Sequence, residues 1–122
     1  MRNTEGYRNL VVWKNASQLR RLIYNLASKF PVKEFRRVSQ MNDAARSIKQ
    51  NMAEGYPKST LEFIHALTIS QGSLKELQED IDDCLEDRLI SNEEFSLTNE
   101  LLHKTDYLLS KLIDSLRRKS AT

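Results

Sequence analysis

An all-α protein, folded as a single antiparallel up-and-down four-helix bundle, is what this sequence predicts, and three observations predict it. With 3 Gly and 2 Pro in 122 residues, turn formers are too scarce to punctuate a β-sandwich or barrel. Apolar residues recur in steps of three and four over long stretches. The connections between those stretches are short, which makes successive helices antiparallel neighbours. The length suits one domain able to bury a core. The bundle is placed at residues 10–118, with 1–9 and 119–122 as tails.

The first helix is read over residues 10–30. Val12, Ala16, Leu19, Leu22, Ile23, Leu26, Ala27 and Phe30 form one stripe there, and no acidic residue interrupts it. Pro31 breaks the pattern. A second stripe, Phe35, Val38, Met41, Ala45, Ile48 and Met52, runs from about Glu34 to Gly55, where a left-handed glycine cap is expected. Tyr56 precedes Pro57, a position biased away from helical geometry. Ser59-Thr60-Leu61-Glu62 then reads as a capping box that opens the third helix, with Phe63, Leu67, Leu74, Leu77, Ile81 and Leu85 as its core stripe to about Arg88. A second capping box, Ser91-Asn92-Glu93-Glu94, opens the fourth helix, which reaches about Arg118.

Composition excludes several classes of function. Cys84 is the single cysteine, so neither a disulfide framework nor a cysteine-based metal site can form within the chain. The N-terminal apolar run is only Leu10-Val11-Val12-Trp13, so neither a signal sequence nor a membrane span is expected and the protein is placed in the cytoplasm. The net charge of +2 conceals a strong polarity. Up to Thr60 there are 12 basic and 4 acidic residues, and after it 7 and 13, so the two halves carry +8 and −6. Such polarity suits self-association, in which the basic half of one copy meets the acidic half of the next.

Two features point outward from the core. In the fourth helix Leu97, Leu101, Leu102, Leu108, Leu109, Leu112, Ile113 and Leu116 spread over roughly 160° of surface, more than one bundle interior covers. The excess lies either under a neighbouring helix or at a subunit interface. Opposite the core stripe of the third helix lie Glu62, His65, Ile69, Gly72 and Ser73, then the acidic run Glu76, Glu79, Asp80, Asp83 and Asp87. A mid-helix glycine costs about 1 kcal/mol relative to alanine, so Gly72 suggests a close approach by another element.

Four short signatures occur together: Leu10-Val11-Val12-Trp13-Lys14; Lys29-Phe30-Pro31; Ser47-Ile48 with Asn51-Met52-Ala53-Glu54-Gly55; and Gly72-Ser73-Leu74 with Glu76-Leu77. In these the chain, from about Tyr7 to Leu116, resembles the four helix bundle protein family first noticed in intervening sequences of bacterial 23S ribosomal RNA genes. The resemblance implies a left-turning antiparallel bundle that assembles into a ring, typically a homopentamer, with no established enzymatic activity; no cofactor is expected. A related architecture assists the reverse transcriptases of diversity-generating retroelements through a basic ring surface that contacts nucleic acid and the enzyme. The chain departs from the family pattern at Asn42-Asp43, where basic residues are usual, which weighs against nucleic-acid binding at that surface. Trp13, Ser47, Asn51, Glu54, Gly55, Gly72 and Ser73 are the family-motif and interface candidates. Ser47, Asn51 and Glu54 lie off the core stripe of their helix, where they either tie it to a neighbouring helix, subunit or turn, or line a small polar pocket.

Catalytic and metal constellations are weak. Glu62 with His65 and Glu100 with His103 have the spacing of di-iron bundles, but the first helix offers no inward carboxylate between Leu10 and Phe30. No histidine is placed to activate Cys84, and no glycine-rich phosphate loop is present. The protein is therefore not expected to be an enzyme. The rival to an assembly role is an RNA- or DNA-binding accessory that uses Arg20, Arg21, Lys29, Lys33, Arg36 and Arg37, with Trp13 and Tyr24 beside Arg20. The expected partner is a second copy of the chain, with RNA, DNA or another protein as further partners and no membrane.

Overall fold

Four long helices surround one apolar core in the computed structural model, which describes residues 3–120. They are α1 (Val11–Ala27), α2 (Phe35–Gly55), α3 (Thr60–Glu86) and α4 (Asn92–Ser120), and no strand occurs among the described residues. Each helix packs on its two neighbours in a cycle: α1 on α2, α2 on α3, α3 on α4, and α4 on α1. Along the α2–α3 pair Gly55 lies beside Ala66, Ile48 beside Ser70, Met41 beside Cys84 and Arg37 beside Asp87, so these two helices run in opposite directions.

The apolar stripes meet in the interior. Ala16, Leu19, Ile23, Met41, Ile48, Met52, Leu67, Leu77, Ile81, Leu102 and Leu109 are fully buried. Full burial of an aliphatic side chain contributes about 1.5–3 kcal/mol, so this shared core is the main stabilising element. Of the two expected capping boxes, the one at α4 closes fully and the one at α3 only in part. Ser91 and Glu94 exchange two bonds, the Ser91 N–H to Oε1 of Glu94 at 2.9 Å and the Glu94 N–H to Oγ of Ser91 at 3.0 Å. The bonds from Ser91 hold the Glu94 carboxyl below its usual range. At α3 the Glu62 N–H donates to Ser59 Oγ at 3.2 Å, but the serine hydroxyl itself then donates to the Glu62 carboxylate at 3.0 Å.

Several expectations need correction. Gly55 is not a left-handed cap, because no glycine has a positive φ. It remains helical because α3 needs it small: a Cβ there would stand 2.5 Å from that of Ala66. Tyr56 also keeps helical angles, φ −55° and ψ −46°, in spite of Pro57. Its N–H bonds to Met52 O at 3.0 Å and its ring packs edge-on to Phe63 at 5.5 Å, which outweighs the steric bias of the following proline. The left-handed residue is Arg88, φ 59°, after α3. There the Arg88 N–H bonds to Leu85 O and the Leu89 N–H to Cys84 O, the pair of bonds that closes a Schellman cap.

Phe35 was expected on the stripe and is 64% exposed. It sits about 120° around the helix from Met41, beyond the stripe's edge. In α4 Leu97 is exposed, while Thr98 and Thr105 occupy buried positions. Their hydroxyls bond to the carbonyls of Glu94 and Leu101, one turn back, so burial leaves no polar atom unmet. Leu101, Leu108 and Leu112 pack half-buried against the chain's own core. The segment assigned to the N-terminal tail contains a 3-10 turn, Gly6–Asn9, and its Tyr7 ring lies edge-on to Trp13 at 5.2 Å. At the other end α4 extends to Ser120, two residues past the expected limit.

Candidate functional site

Grooves flank α2 on both sides. The first lies between the end of α2 and the start of α3, has a volume of about 390 Å³, and is lined by Asn51, Glu54, Gly55, Leu61, His65 and Ile69 among others. Four of the family-motif positions lie at this α2–α3 junction, Asn51 and Gly55 in the lining of this groove and Ser47 and Ser73 in that of a separate polar groove farther along it. The Asn51 amide donates to the Ser47 carbonyl at 2.8 Å and to its hydroxyl at 3.0 Å, and Ser73 of α3 donates to the same hydroxyl at 2.9 Å. Gly55 sits against Ala66. Nearby, the buried Ser70 hydroxyl donates to the Ile48 carbonyl at 2.7 Å. Glu54, by contrast, is exposed and accepts a bond from Gln50 on its own helix.

Farther along α3 the acidic run faces the start of α2. Burial, followed by the neighbouring Asp83 and Glu76 carboxylates, pushes Asp80 above the usual carboxylate range. Arg37 bonds to Asp87 at 2.7 Å and pairs with Glu34 at 3.4 Å, and Lys29 pairs with Glu94 at 3.6 Å. Two of the six cations expected to face a nucleic acid are therefore engaged within the chain. Lys33 and Arg36 line a polar cleft with Asp80, Asp83 and Asp87.

The second groove, about 500 Å³, runs between α1 and α2 beneath the N-terminal turn. Arg8, Arg20, Arg46 and Lys49 line it together with Tyr7, Trp13, Gln50 and Ala53, and no acidic residue does. Lys49 Nζ stands 4.7 Å from the centre of the Trp13 ring. Burial, then the charges of Arg20, Arg21 and Arg8, hold the Lys49 ammonium below its usual range. Of the residues singled out in the sequence only Trp13 and Arg20 belong to this groove; Arg21 and the exposed Tyr24 lie outside its lining. Arg8, Arg46 and Lys49 were missed. A signal for two of them existed, since Arg46, Lys49, Gln50 and Ala53 recur at helical spacing on one side of α2.

The remaining candidates are scattered. Glu62, His65, Glu100 and His103 are exposed on their helices. The Cys84 thiol is buried 3.7 Å from Met41 Sδ, and burial pushes it up to about 11. Gly72 is exposed, and apart from its own stretch of helix backbone nothing lies within 4 Å of the position a Cβ would take there.

Ser47, Asn51, Gly55 and Ser73 thus sit where α2 and α3 meet, whereas Trp13 lines the second groove and Gly72 faces open space. The sequence profile of the 23S rRNA-intervening sequence protein family matches residues 8–113. The chain belongs to this family. Among solved structures, a protein of unknown function from the S23 ribosomal protein family of Bacteroides thetaiotaomicron VPI-5482 is similar, with a TM-score of 0.76 and 24% identity. The match covers 84% of this chain and 98% of that one, and shows a shared fold. No curated protein matches the chain. No helix among the described residues is long and apolar enough to cross a membrane.

Proposed function

We propose that this member of the 23S rRNA-intervening sequence protein family is a cytoplasmic, non-enzymatic assembly module: an antiparallel up-and-down bundle that associates with copies of itself. The observation that carries the reading is the outer face of α3. Leu61, His65, Ile69 and Gly72 succeed one another at helical spacing, with Leu61 70% and Ile69 44% exposed. Open space above Gly72 leaves the backbone bare at the middle of this strip, where a helix of a second copy can approach closely. The acidic run continues the strip, and Arg21, Lys33 and Arg36 near the first interhelix turn supply the opposite charge for the neighbouring copy. A contact between two different faces propagates head to tail and closes into a ring when its rotation permits. Five copies is the number that the resemblance implies. An interaction role also fits the chemistry of Cys84, whose buried, protonated thiol is a poor nucleophile.

Light scattering coupled to size exclusion tests the reading. The expected mass is several times the 14.2 kDa of one chain, and Gly72→Leu should return a helical monomer. A wild-type monomer overturns the proposal, and an assembled Gly72→Leu variant removes α3 from the contact.

A further inference from the structure

The groove between α1 and α2 plays no part in that assembly contact, and its composition is unusual for a surface cleft. Arg8, Arg20, Arg46 and Lys49 converge on it from three segments of the chain. Arg8 has a long 3.9 Å pairing with Glu5, whereas Arg20, Arg46 and Lys49 have no carboxylate within ion-pair distance among the described residues. A bundle with 17 acidic side chains has ample means to neutralise such a cluster, yet none lines the groove and only Glu5 approaches it, through Arg8. Like charges gathered without a counter-ion repel one another, and the Lys49 ammonium is held below its usual range first by burial and then by the charges of Arg20, Arg21 and Arg8.

The walls supply a second, independent sign. The Trp13 indole N–H, in the side of the groove, is shut off from solvent with no acceptor. Ser17, one turn farther along the same side of α1, has a buried hydroxyl in the same condition. Both atoms lie beneath the surface rather than in the open groove, so the chemistry the groove presents is that of its cations and its aromatic rings. The ring pair Tyr7–Trp13 adds an aromatic wall that a bare inorganic anion does not require.

We propose that this groove binds a nucleotide unit: Arg20, Arg46 and Lys49 hold its phosphate, and the Tyr7–Trp13 pair forms the wall against which its base or sugar lies. The same chemistry is presented by a single-stranded RNA segment and by a free nucleotide, and the experiment separates the two. The site differs from the basic turn used in the assembly proposal, so either proposal can fail without the other.

Trp13 is the one tryptophan of the chain, which makes its fluorescence a local probe. The assembled, full-length protein is titrated in parallel with a short oligouridylate, with uridine monophosphate and with inorganic phosphate, and the mass is followed by light scattering. A saturable change of emission with the oligonucleotide or the monophosphate, at concentrations where phosphate has no effect, is the expected result. Binding by the oligonucleotide alone assigns the site to an RNA strand, and equal binding of the monophosphate assigns it to a free nucleotide. The double variant Arg20→Ala, Arg46→Ala should weaken binding at least about tenfold and reduce its salt dependence, since each lost phosphate contact removes a released counter-ion. Circular dichroism of the same variant shows that the loss is not one of folding, as both arginines are exposed. The proposal is overturned if no ligand alters the emission, if inorganic phosphate acts as strongly as the nucleotides, or if the double variant binds as well as wild type. It also fails if the oligonucleotide quenches only as the assembly dissociates, because the groove would then be an intersubunit surface.

Discussion

On its α3 side, helix α2 presents Ser47, Ile48 and Gly55, and α3 answers with Ser73, Ser70 and Ala66. On its α1 side it presents Arg46, Lys49 and Ala53, and meets Trp13 and Arg20. Small side chains on the first flank let the backbones close until hydroxyls bond across the gap and a Cβ on Gly55 has no room. A large aromatic and three cations on the second flank hold the helices' edges apart and leave a groove. The same helix is thus tied across its junction by hydrogen bonds on one side and lined by cations without a facing carboxylate on the other, and the difference comes from side-chain volume and charge at neighbouring positions.

Gly55→Leu should break the fastened side most severely. An ideal Cβ already meets Ala66 at 2.5 Å, and overpacking a tight contact typically costs about 1–3 kcal/mol, with a leucine at or beyond the upper end. A urea midpoint lowered by that amount is expected, and a midpoint equal to wild type would show that α2 and α3 can move apart freely. Ser70→Ala is milder. It removes the 2.7 Å bond to the Ile48 carbonyl, so a loss of about 1 kcal/mol is expected by the same denaturation.

The open side should respond in the opposite direction. Lys49→Met removes a partly buried cation from among Arg20, Arg21 and Arg8, and the variant should be slightly more stable at neutral pH. The folded protein binds the Lys49 proton less tightly than the unfolded chain, whose value lies near 10.5. Between the lowered folded value and 10.5 the unfolded state carries more protons, so stability arising from this group rises with pH in that window. Below the window the penalty is fully present. The difference in melting temperature between Lys49→Met and wild type should therefore narrow as the pH is raised toward 10.5, and a constant difference would trace the effect to packing alone.

Much of the fold is legible in the sequence. The burial of Leu19, Ile48, Leu67 and Leu109 follows from a 3.6-residue period, and the bonds at Ser59 and Ser91 from a four-residue pattern. Both signals are complete within a single helix or its first turn. The errors share another origin. Gly55 carries the same symbol whether it ends a helix or admits a neighbour, and the choice depended on Ala66 eleven positions away. Arg88 took the left-handed conformation usually reserved for glycine, because the bonds at the end of α3 require it there. Thr98 and Thr105 are polar by composition, yet each satisfies its hydroxyl on the preceding turn and is buried.

The candidate sites divide in the same way. That Ser47, Asn51, Gly55 and Ser73 matter together was visible in the motifs; that they form the α2–α3 junction required the pairing of the two helices. The basic character of the first half was a matter of counting, but the structure engages Arg37 and Lys29 with Asp87 and Glu94 and gathers Arg8, Arg20, Arg46 and Lys49 instead. By itself the sequence determined the helices, their buried faces and the separation of charge along the chain, since these depend on near neighbours. Only the tertiary structure decided which cations are neutralised and which are left facing an open groove, because that depends on residues brought together across helix boundaries, where charge acts through space.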